Sequence, residues 1–355
     1  MRAKRFGKGV FYMDKVTRVV VIGAGAIGGI TAALIKKAGY DVTLVCKYPE
    51  IATVASGRGL HITGIKGDQF VSIHSVAAIE ELYGVFDLAL IATKAYDMPP
   101  SAKALLPYLT PDALVISMQN GICTDALSMV VGEARTVGCV IGWGATMHAP
   151  AELEMTSTGD FIIGRIQGDP SALLPVKTML DAIVPTTISD DIFAELYSKL
   201  IVNSCITSLG AICGLRLGEM LKKKQARRIF IAIIEEAMAV AHAMKLQVPP
   251  FGGKLDYEKL IHGNRWFDRF RRHLMIYIVG LKYKNLKSSS LQSLERGRPT
   301  EIDYFNGYIA RKGESLGVAC PVNQRLVTIV KEIEAKKRNI QVENLYDAAF
   351  TKQTY

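Results

Sequence analysis

Val19-Val20-Val21-Ile22-Gly23-Ala24-Gly25-Ala26-Ile27-Gly28 is the stretch that decides the fold. The β-branched run from Val16 to Ile22 is too continuous for a strand with one wet face, and it stops at glycine, as a buried parallel strand does. Ala26 to Ala38 then carries Ile27, Ile30, Ala33, Leu34 and Ala38 at helical spacing and ends at Gly39, a natural C-cap. Tyr40 to Val45 returns as a second strand. In such a strand-to-helix turn Gly23 allows the tight bend, Gly25 lets backbone approach a pyrophosphate, and Gly28 lets the helix pack on the strand. Ala24, Ala26 and Ile27 complete the loop, and the helix N-terminus offers free N–H groups and partial positive charge to phosphates. A glycine-rich turn with no ligand uses the same letters. The strand before it, the helix after it and the second strand at the right distance favour dinucleotide binding.

The end of that second strand bears on which dinucleotide. A NAD-selective site places Asp or Glu there to bind the ribose hydroxyls. This chain has Val45-Cys46-Lys47, and a lysine can pair with a 2′-phosphate that a carboxylate would repel, so NADP(H) is the expected cofactor. The alternative for Lys47 is a solvated surface lysine.

Further strand signals fall at Asp87 to Thr93, Ala113 to Met118, Thr136 to Ile141, Phe161 to Ile163 and Thr186 to Ile188, with helical stretches between several of them. Alternation of this kind implies a twisted, mainly parallel sheet covered on both faces. After about Ser189 the strand pattern stops. Asp190 to Leu209, Leu217 to Ala243, Tyr257 to Val279, Glu301 to Leu316 and Asn323 to Lys336 read as helices. The expected fold is α/β: an N-terminal Rossmann-like dinucleotide-binding domain over residues 15–189, then an all-α C-terminal domain over 190–340. Residues 1–14 read as a basic, disordered extension and 341–355 as a tail.

Composition agrees with two folded domains. The chain has 355 residues, 49% hydrophobic and 21% charged, with a formal net charge of +10. That charge suits nucleic acid, a membrane surface or an anionic ligand. No zinc-finger, RRM or KH signature accompanies it, so no nucleic-acid partner is expected. Cys46, Cys123, Cys139, Cys205, Cys213 and Cys320 sit in apolar segments without a C-x-x-C pair and read as reduced core residues, with no metal site. No apolar stretch is read as long enough to span a bilayer and the N-terminus has no signal-peptide core, so a cytoplasmic protein without a membrane partner is expected.

Within Asp190 to Leu209, Lys199, Asn203 and Thr207 stand at i, i+4 and i+8, along one helix face that drifts by about 40° per step. Their neighbours Leu200, Ile201, Val202, Cys205 and Ile206 are apolar. A lysine among such residues either snorkels to water or meets a partner. The second case matches the cofactor: reducing a ketone needs a proton for the developing alkoxide, and a partly desolvated lysine has its pKa lowered toward neutrality. Lys199 is the candidate acid, with Asn203 bonding the same oxygen or the ammonium.

Together these residues resemble the ketopantoate reductase (2-dehydropantoate 2-reductase) family from Val16 to about Lys337. The matching segments are VVVIGAGAIGG (19–29), ATKAYD around Lys94, SMQNG with Asn120, KLIVN with Lys199 and Asn203, and SSSLQSLERGRPTEIDYFNG (288–307). The last two are far more specific than the glycine loop. The resemblance implies reduction of 2-dehydropantoate by NADPH to pantoate, for pantothenate and coenzyme A synthesis. It implies that Lys199 is the general acid and that Glu301 sets its position and charge and also faces the cofactor. It implies that Ser289 and Asn203 hold the substrate's carboxylate and hydroxyl ends, that Lys94 and Asn120 line the nicotinamide side, Asn120 also facing substrate, and that Lys47 meets the 2′-phosphate.

Each has a plainer reading. Thr300 and Asp303 make a capping box around Glu301, Asn120-Gly121 a turn, Lys94 a solvated strand end, and Ser289 a loop hydroxyl. Two departures bear on the substrate. The family's lysine helix carries a second asparagine where this chain has Thr207. The stretch Phe251 to Lys287 is longer than in compact members and holds Trp266, Phe267 and Phe270 among Arg265, Arg269, Arg271, Arg272 and His273. It reshapes a cleft mouth, makes a homodimer contact through the helical domain, or is a surface helix pair. Another 2-oxoacid or an imine as substrate, and a non-catalytic NADP-binding sensor, are the competing functions.

Overall fold

A computed structural model describes residues 18–263 and 265–351, so the expected extension at residues 1–14 lies outside the described residues, as do Val16 and Thr17 of the first strand. The described chain divides into two compact units, residues 18–119 with 123–193 and residues 120–122 with 194–351.

The first unit alternates strand and helix as its sequence pattern requires. It runs β1 (Arg18–Ile22), α1 (Ala26–Lys37), β2 (Asp41–Val45), α2 (Pro49–Ser56), β3 (Leu60–Gly64), β4 (Gln69–Val71), β5 (Ser75–Val76), β6 (Phe86–Ile91), α3 (Met98–Leu105), β7 (Leu109–Ser117) and α4 (Thr124–Val131). It continues through β8 (Thr136–Ile141), β9 (Gly144–Ala149), β10 (Glu152–Ser157), β11 (Phe161–Arg165), α5 (Leu174–Asp181) and β12 (Thr186–Ile188). The main sheet has eight strands in the order β12-β11-β8-β7-β6-β1-β2-β5, parallel throughout except where β11 meets β8. Its central strands are apolar on both faces because both are covered. Val19 to Val21 and Leu88 to Ile91 are wholly buried, and burying each such side chain contributes about 1.5–3 kcal/mol.

Strand order reverses at β1. The chain leaves it to build β2 on one side, and β6 later pairs on the other, from Val19 opposite Leu88 to Ile22 opposite Ile91. In open α/β sheets such a switch point is where ligands bind, beyond the carboxyl ends of the strands.

A second sheet, in the order β4-β3-β10-β9, was not among the sequence expectations. Its strands are short and interrupted by Gly64 and Gly67 and by the Pro150-Ala151 turn, and the pairing of Glu152 with His61 joins residues 91 apart. Pattern reading works within a window and misses such pairs.

The second unit is helical: α6 (Ile192–Cys213), α7 (Leu217–Lys222), α8 (Lys224–Ala243), α9 (Tyr257–Ile261), α10 (Trp266–Lys282), α11 (Ser289–Glu295), α12 (Asn306–Ser315), α13 (Pro321–Glu334) and α14 (Ala348–Thr351). Three expected helices are broken. The 217–243 helix divides at Lys223, whose extended backbone ends α7. The 257–279 helix divides around Gly263 (φ +83°), where the buried Arg272 guanidinium donates to the carbonyls of Ile261 and Gly263. The 301–316 helix begins as a single 3-10 turn at Ile302–Tyr304 and restarts at Asn306, because Phe305 at φ −111°, ψ −100° leaves the helical region.

α6 corrects one further expectation. Its 22 residues are long and apolar enough for a bilayer by length and composition, yet 83% of its most apolar window is buried within the fold, which makes it a core helix here. All six cysteines are free and buried, and burial pushes the Cys46 thiol up to about 12.

Candidate functional site

At the switch point the ladder continues past the strands. Gly23 N–H donates to Val45 O at 2.9 Å, Ala92 N–H to Ile22 O at 2.8 Å and Met118 N–H to Ile91 O at 3.0 Å, so the ends of β1, β2, β6 and β7 form one ledge. Gly23 has φ +108°, which a side chain rarely tolerates. A Cβ on Gly28 would collide with the Gly23 carbonyl oxygen and press on Ala92 Cβ, so only glycine lets α1 lie this close to the ledge. Gly25 is different: a Cβ there would meet nothing within 4 Å. It is the N-cap of α1 and makes no side-chain cap, and no acidic residue stands in the first turn. The positive end of α1 therefore has no side-chain cap and no first-turn carboxylate to serve its backbone N–H groups. That arrangement fits a pyrophosphate.

Lys47 lies two residues beyond β2. Its ammonium is 3.8 Å from Asp97 in a pair exposed 72% and 42%, too solvated to hold the lysine firmly. No carboxylate occupies the end of β2, where buried Cys46 precedes Lys47. Lys94 is exposed and begins the 3-10 turn Ala95–Asp97 after β6. Gln119, which sequence reasoning did not single out, ties these ends together. Its buried amide donates to Ile91 O at 2.8 Å and Thr93 O at 3.2 Å and accepts from Ser117 Oγ at 2.7 Å. Its signal was present as an amide directly after an apolar strand, which must find partners if buried.

In the second unit, α6 carries Lys199 and Asn203 half-buried and Thr207 buried, among fully buried Leu200, Ile201 and Cys205. Asn203 Nδ2 is buried without a hydrogen-bond partner among the described residues. Thr207 Oγ1 donates to Asn203 O at 2.7 Å, the i−4 back-bond open to a helical threonine. The rotational setting of this helix is locked one turn earlier by residues the sequence did not flag. Tyr197 Oη donates to Ala237 O at 2.7 Å, Tyr257 Oη to Ser198 O at 2.6 Å, and Ser198 Oγ to Pro249 O at 2.8 Å. Burial raises both tyrosine hydroxyls well above their ordinary range, so they act as neutral donors.

The serine run closes on the same helix. A Cβ at Gly210 would press into Ser288 Oγ and Cβ, so glycine lets the start of α11 rest on α6. Ser288 is the buried N-cap, accepting from Leu291 N at 3.2 Å and donating to Thr207 O at 3.5 Å. Ser289, the residue expected to serve the site, is exposed at the first position of α11. Glu301 is buried, 7% exposed, and the capping box around it does not form. Thr300 Oγ1 accepts from Ile302 N and donates to Glu334 at 2.6 Å, while Asp303 pairs with Lys331 at 2.6 Å. Partners on α13 take the Thr300 hydroxyl proton and the Asp303 carboxylate, so the reciprocal half of the box does not close although Thr300 Oγ1 still serves the start of the turn. Asn120 is exposed, and the next residue, Gly121 (φ +85°), lies against Tyr304 O, close to the turn that Glu301 begins. The structure thus gathers Asn203, Thr207 and the 288–289 serines on one side of α6, and the Asn120–Gly121 turn beside the 302–304 turn.

Comparison with known proteins covers both units. The model of the ketopantoate reductase PanE/ApbA family matches residues 19–168, and that of its C-terminal domain matches residues 191–334. The 2-dehydropantoate 2-reductase of Archaeoglobus fulgidus is 27% identical over 323 residues, 90% of this chain and 99% of that one. The enzyme of the same name from Vibrio cholerae is 28% identical over 324 residues, 89% and 97% of the two chains. The crystal structure of a PanE/ApbA family ketopantoate reductase from Ralstonia eutropha superposes with a TM-score of 0.77 at 27% identity, covering 91% of this chain and all of that one. D-mandelate dehydrogenase with NADH and anilino(oxo)acetate shares the fold, with a TM-score of 0.77 at 22% identity over 90% and 99% of the chains. With a Rossmann-like first unit, a helical second unit and both family models matched in order, the chain belongs to the ketopantoate reductase PanE/ApbA family.

Proposed function

We propose that the protein reduces 2-dehydropantoate to pantoate with NADPH. The observation that carries the reading is the polar ridge of α6, where Lys199, Asn203 and Thr207 share a face of a largely buried helix and Asn203 Nδ2 has no acceptor among the described residues. Leaving a buried donor unpaired costs about 1–3 kcal/mol. A substrate oxygen bonded to Asn203 would offset that cost. The relatives named 2-dehydropantoate 2-reductase support the reaction, and the uncapped first turn of α1 supports a dinucleotide.

In this reading the loop Gly23 to Gly28 holds the pyrophosphate, Lys47 meets the 2′-phosphate, and Lys94 and Asn120 border the nicotinamide. When bound, the cofactor supplies hydride to the ketone carbon. Lys199 gives its Nζ proton to the ketone oxygen as charge develops there, and the resulting amine recovers a proton from water. Glu301 holds the lysine in place and balances its charge before transfer. Asn203 and Ser289 grip the substrate's polar ends.

One observation favours a second reading. The Thr207 hydroxyl proton is committed to Asn203 O, so Thr207 can offer substrate only an acceptor, where an asparagine would also offer donors. Another 2-oxoacid, or an imine, fits that difference. Steady-state NADPH oxidation by the full chain against 2-dehydropantoate and a panel of 2-oxoacids tests both. Preference for 2-dehydropantoate is expected, turnover of a different 2-oxoacid alone would select the second reading, and tight NADPH binding with no turnover would make the protein a sensor.

A further inference from the structure

α7, α8 and α10 line a cavity of about 970 Å³, within the range of small-molecule sites. None of its residues belongs to the glycine loop or the α6 ridge. Lys222, Lys224, Arg227 and Arg228 come from the α7–α8 junction, and Arg269 and Arg272 from α10. Among the described residues Glu235 is the sole carboxylate on the wall, and it already accepts from Arg272 Nη1 at 3.0 Å. The remaining cations line the same cavity with no second acid on its wall, an arrangement that raises the local potential and favours a bound anion.

The cavity is built as well as charged. A Cβ at Gly280 would press on Leu221 Cβ, so glycine lets α10 close onto α7. Arg272, 6% exposed, is fixed by the Ile261 and Gly263 carbonyls in the break before α10. Arg227 Nη1 donates to Leu221 O at 2.7 Å and Lys222 O at 2.8 Å, while Arg227 Nε, Arg272 Nε and His273 Nδ1 are buried without partners among the described residues. Burial, reinforced by Arg227, Lys224, Arg228 and Arg272, pushes His273 down to about 4, so it stays neutral at physiological pH. Phe270, Leu274 and Tyr277 supply an apolar side to the wall.

We infer that this cavity is a second ligand site that takes a small molecule bearing a diphosphate or triphosphate, its charged end against Lys224, Arg227, Arg228 and Arg269 and its less polar part on Phe270, Leu274 and Tyr277. Guanidinium groups match phosphate oxygens in fork geometry, and several on one wall select a multiply charged group over a lone carboxylate. A second copy of the chain is the poorer occupant, since a two-fold contact here would set like charges against each other.

Titration calorimetry with inorganic pyrophosphate on the full chain, at low salt, tests the site. Saturable binding is expected in the native protein and in Gly25→Ala, which weakens the glycine loop that holds the cofactor's pyrophosphate in the proposed reading. Arg228→Glu with Arg269→Glu, both exposed positions, is expected to weaken it at least ~10-fold without altering the circular dichroism, whereas Arg228→Lys with Arg269→Lys keeps most of it. If the double reversal is poorly folded, Arg228→Ala with Arg269→Ala serves in its place with the same expected weakening. Binding that survives both double variants, or that disappears in Gly25→Ala, would overturn the inference by putting the anion elsewhere. So would association with phosphatidylglycerol vesicles in the absence of any pyrophosphate binding, which would assign the cations to a lipid surface.

Discussion

In the proposed reading, the glycine loop and the α6 ridge prepare for ligands by opposite means. The loop recruits backbone: Gly23, Gly25 and Gly28 act by lacking a side chain, and what they expose is the first turn of α1. The ridge recruits side chains: Lys199, Asn203 and Thr207 stand out from an apolar helix whose angle is set by Tyr197, Ser198 and Tyr257. A backbone site depends on steric room, so its defects should appear as binding or folding losses. A side-chain site depends on the identity of a few groups, so its defects should appear in turnover.

Lys199→Ala should break the comparison most strongly if it is wrong. We expect a fall in kcat of about 10²–10⁴-fold with NADPH binding retained, the range for removing a general acid. Near-normal turnover would remove Lys199 from the chemistry.

Within the loop, two alanine variants separate room for ligand from room for fold. Gly28→Ala meets the Gly23 carbonyl and should cost about 1–3 kcal/mol, seen as a lowered Tm. Gly25→Ala meets no protein atom, so Tm should hold while the Kd for NADPH rises about 10-fold or more. Equal losses of Tm in both variants would refute the distinction.

Lys47→Ala should reduce the preference for NADPH over NADH by about 10-fold, the worth of one charge-assisted contact of roughly 1.4 kcal/mol. An unchanged ratio of kcat/KM values for the two cofactors would return Lys47 to the solvated surface. The smallest effect is expected from Thr207→Asn, a change of a few-fold in KM for 2-dehydropantoate, because it alters one polar contact at the edge of the ridge. A change confined to kcat would mean that residue 207 acts on the chemistry instead.

How much was legible follows from the range of each signal. The β1–α1–β2 unit was readable because strand, loop and helix are continuous in sequence and each obeys a local period. The α6 ridge was readable for the same reason, since i, i+4 and i+8 lie on one face whatever the helix packs against. The small sheet of β3, β4, β9 and β10 was not, because its pairing joins residues nearly a hundred positions apart. The capping box at Thr300 and Asp303 failed for a related reason: Glu334 and Lys331 on α13 compete for both side chains, and nothing near residue 300 announces them.

The sequence by itself determined the dinucleotide fold, the helical second unit and the family, and it nominated the short group of residues on which the proposed mechanism rests. Those properties are written in local periodicity and in motifs of contiguous residues. Only the tertiary structure decided which members of a serine run are buried, where long helices break, what locks α6, and that cations from α7, α8 and α10 share a wall with one neutralised carboxylate. Burial and electrostatic potential are sums over neighbours brought together by folding, and no window on the chain contains them.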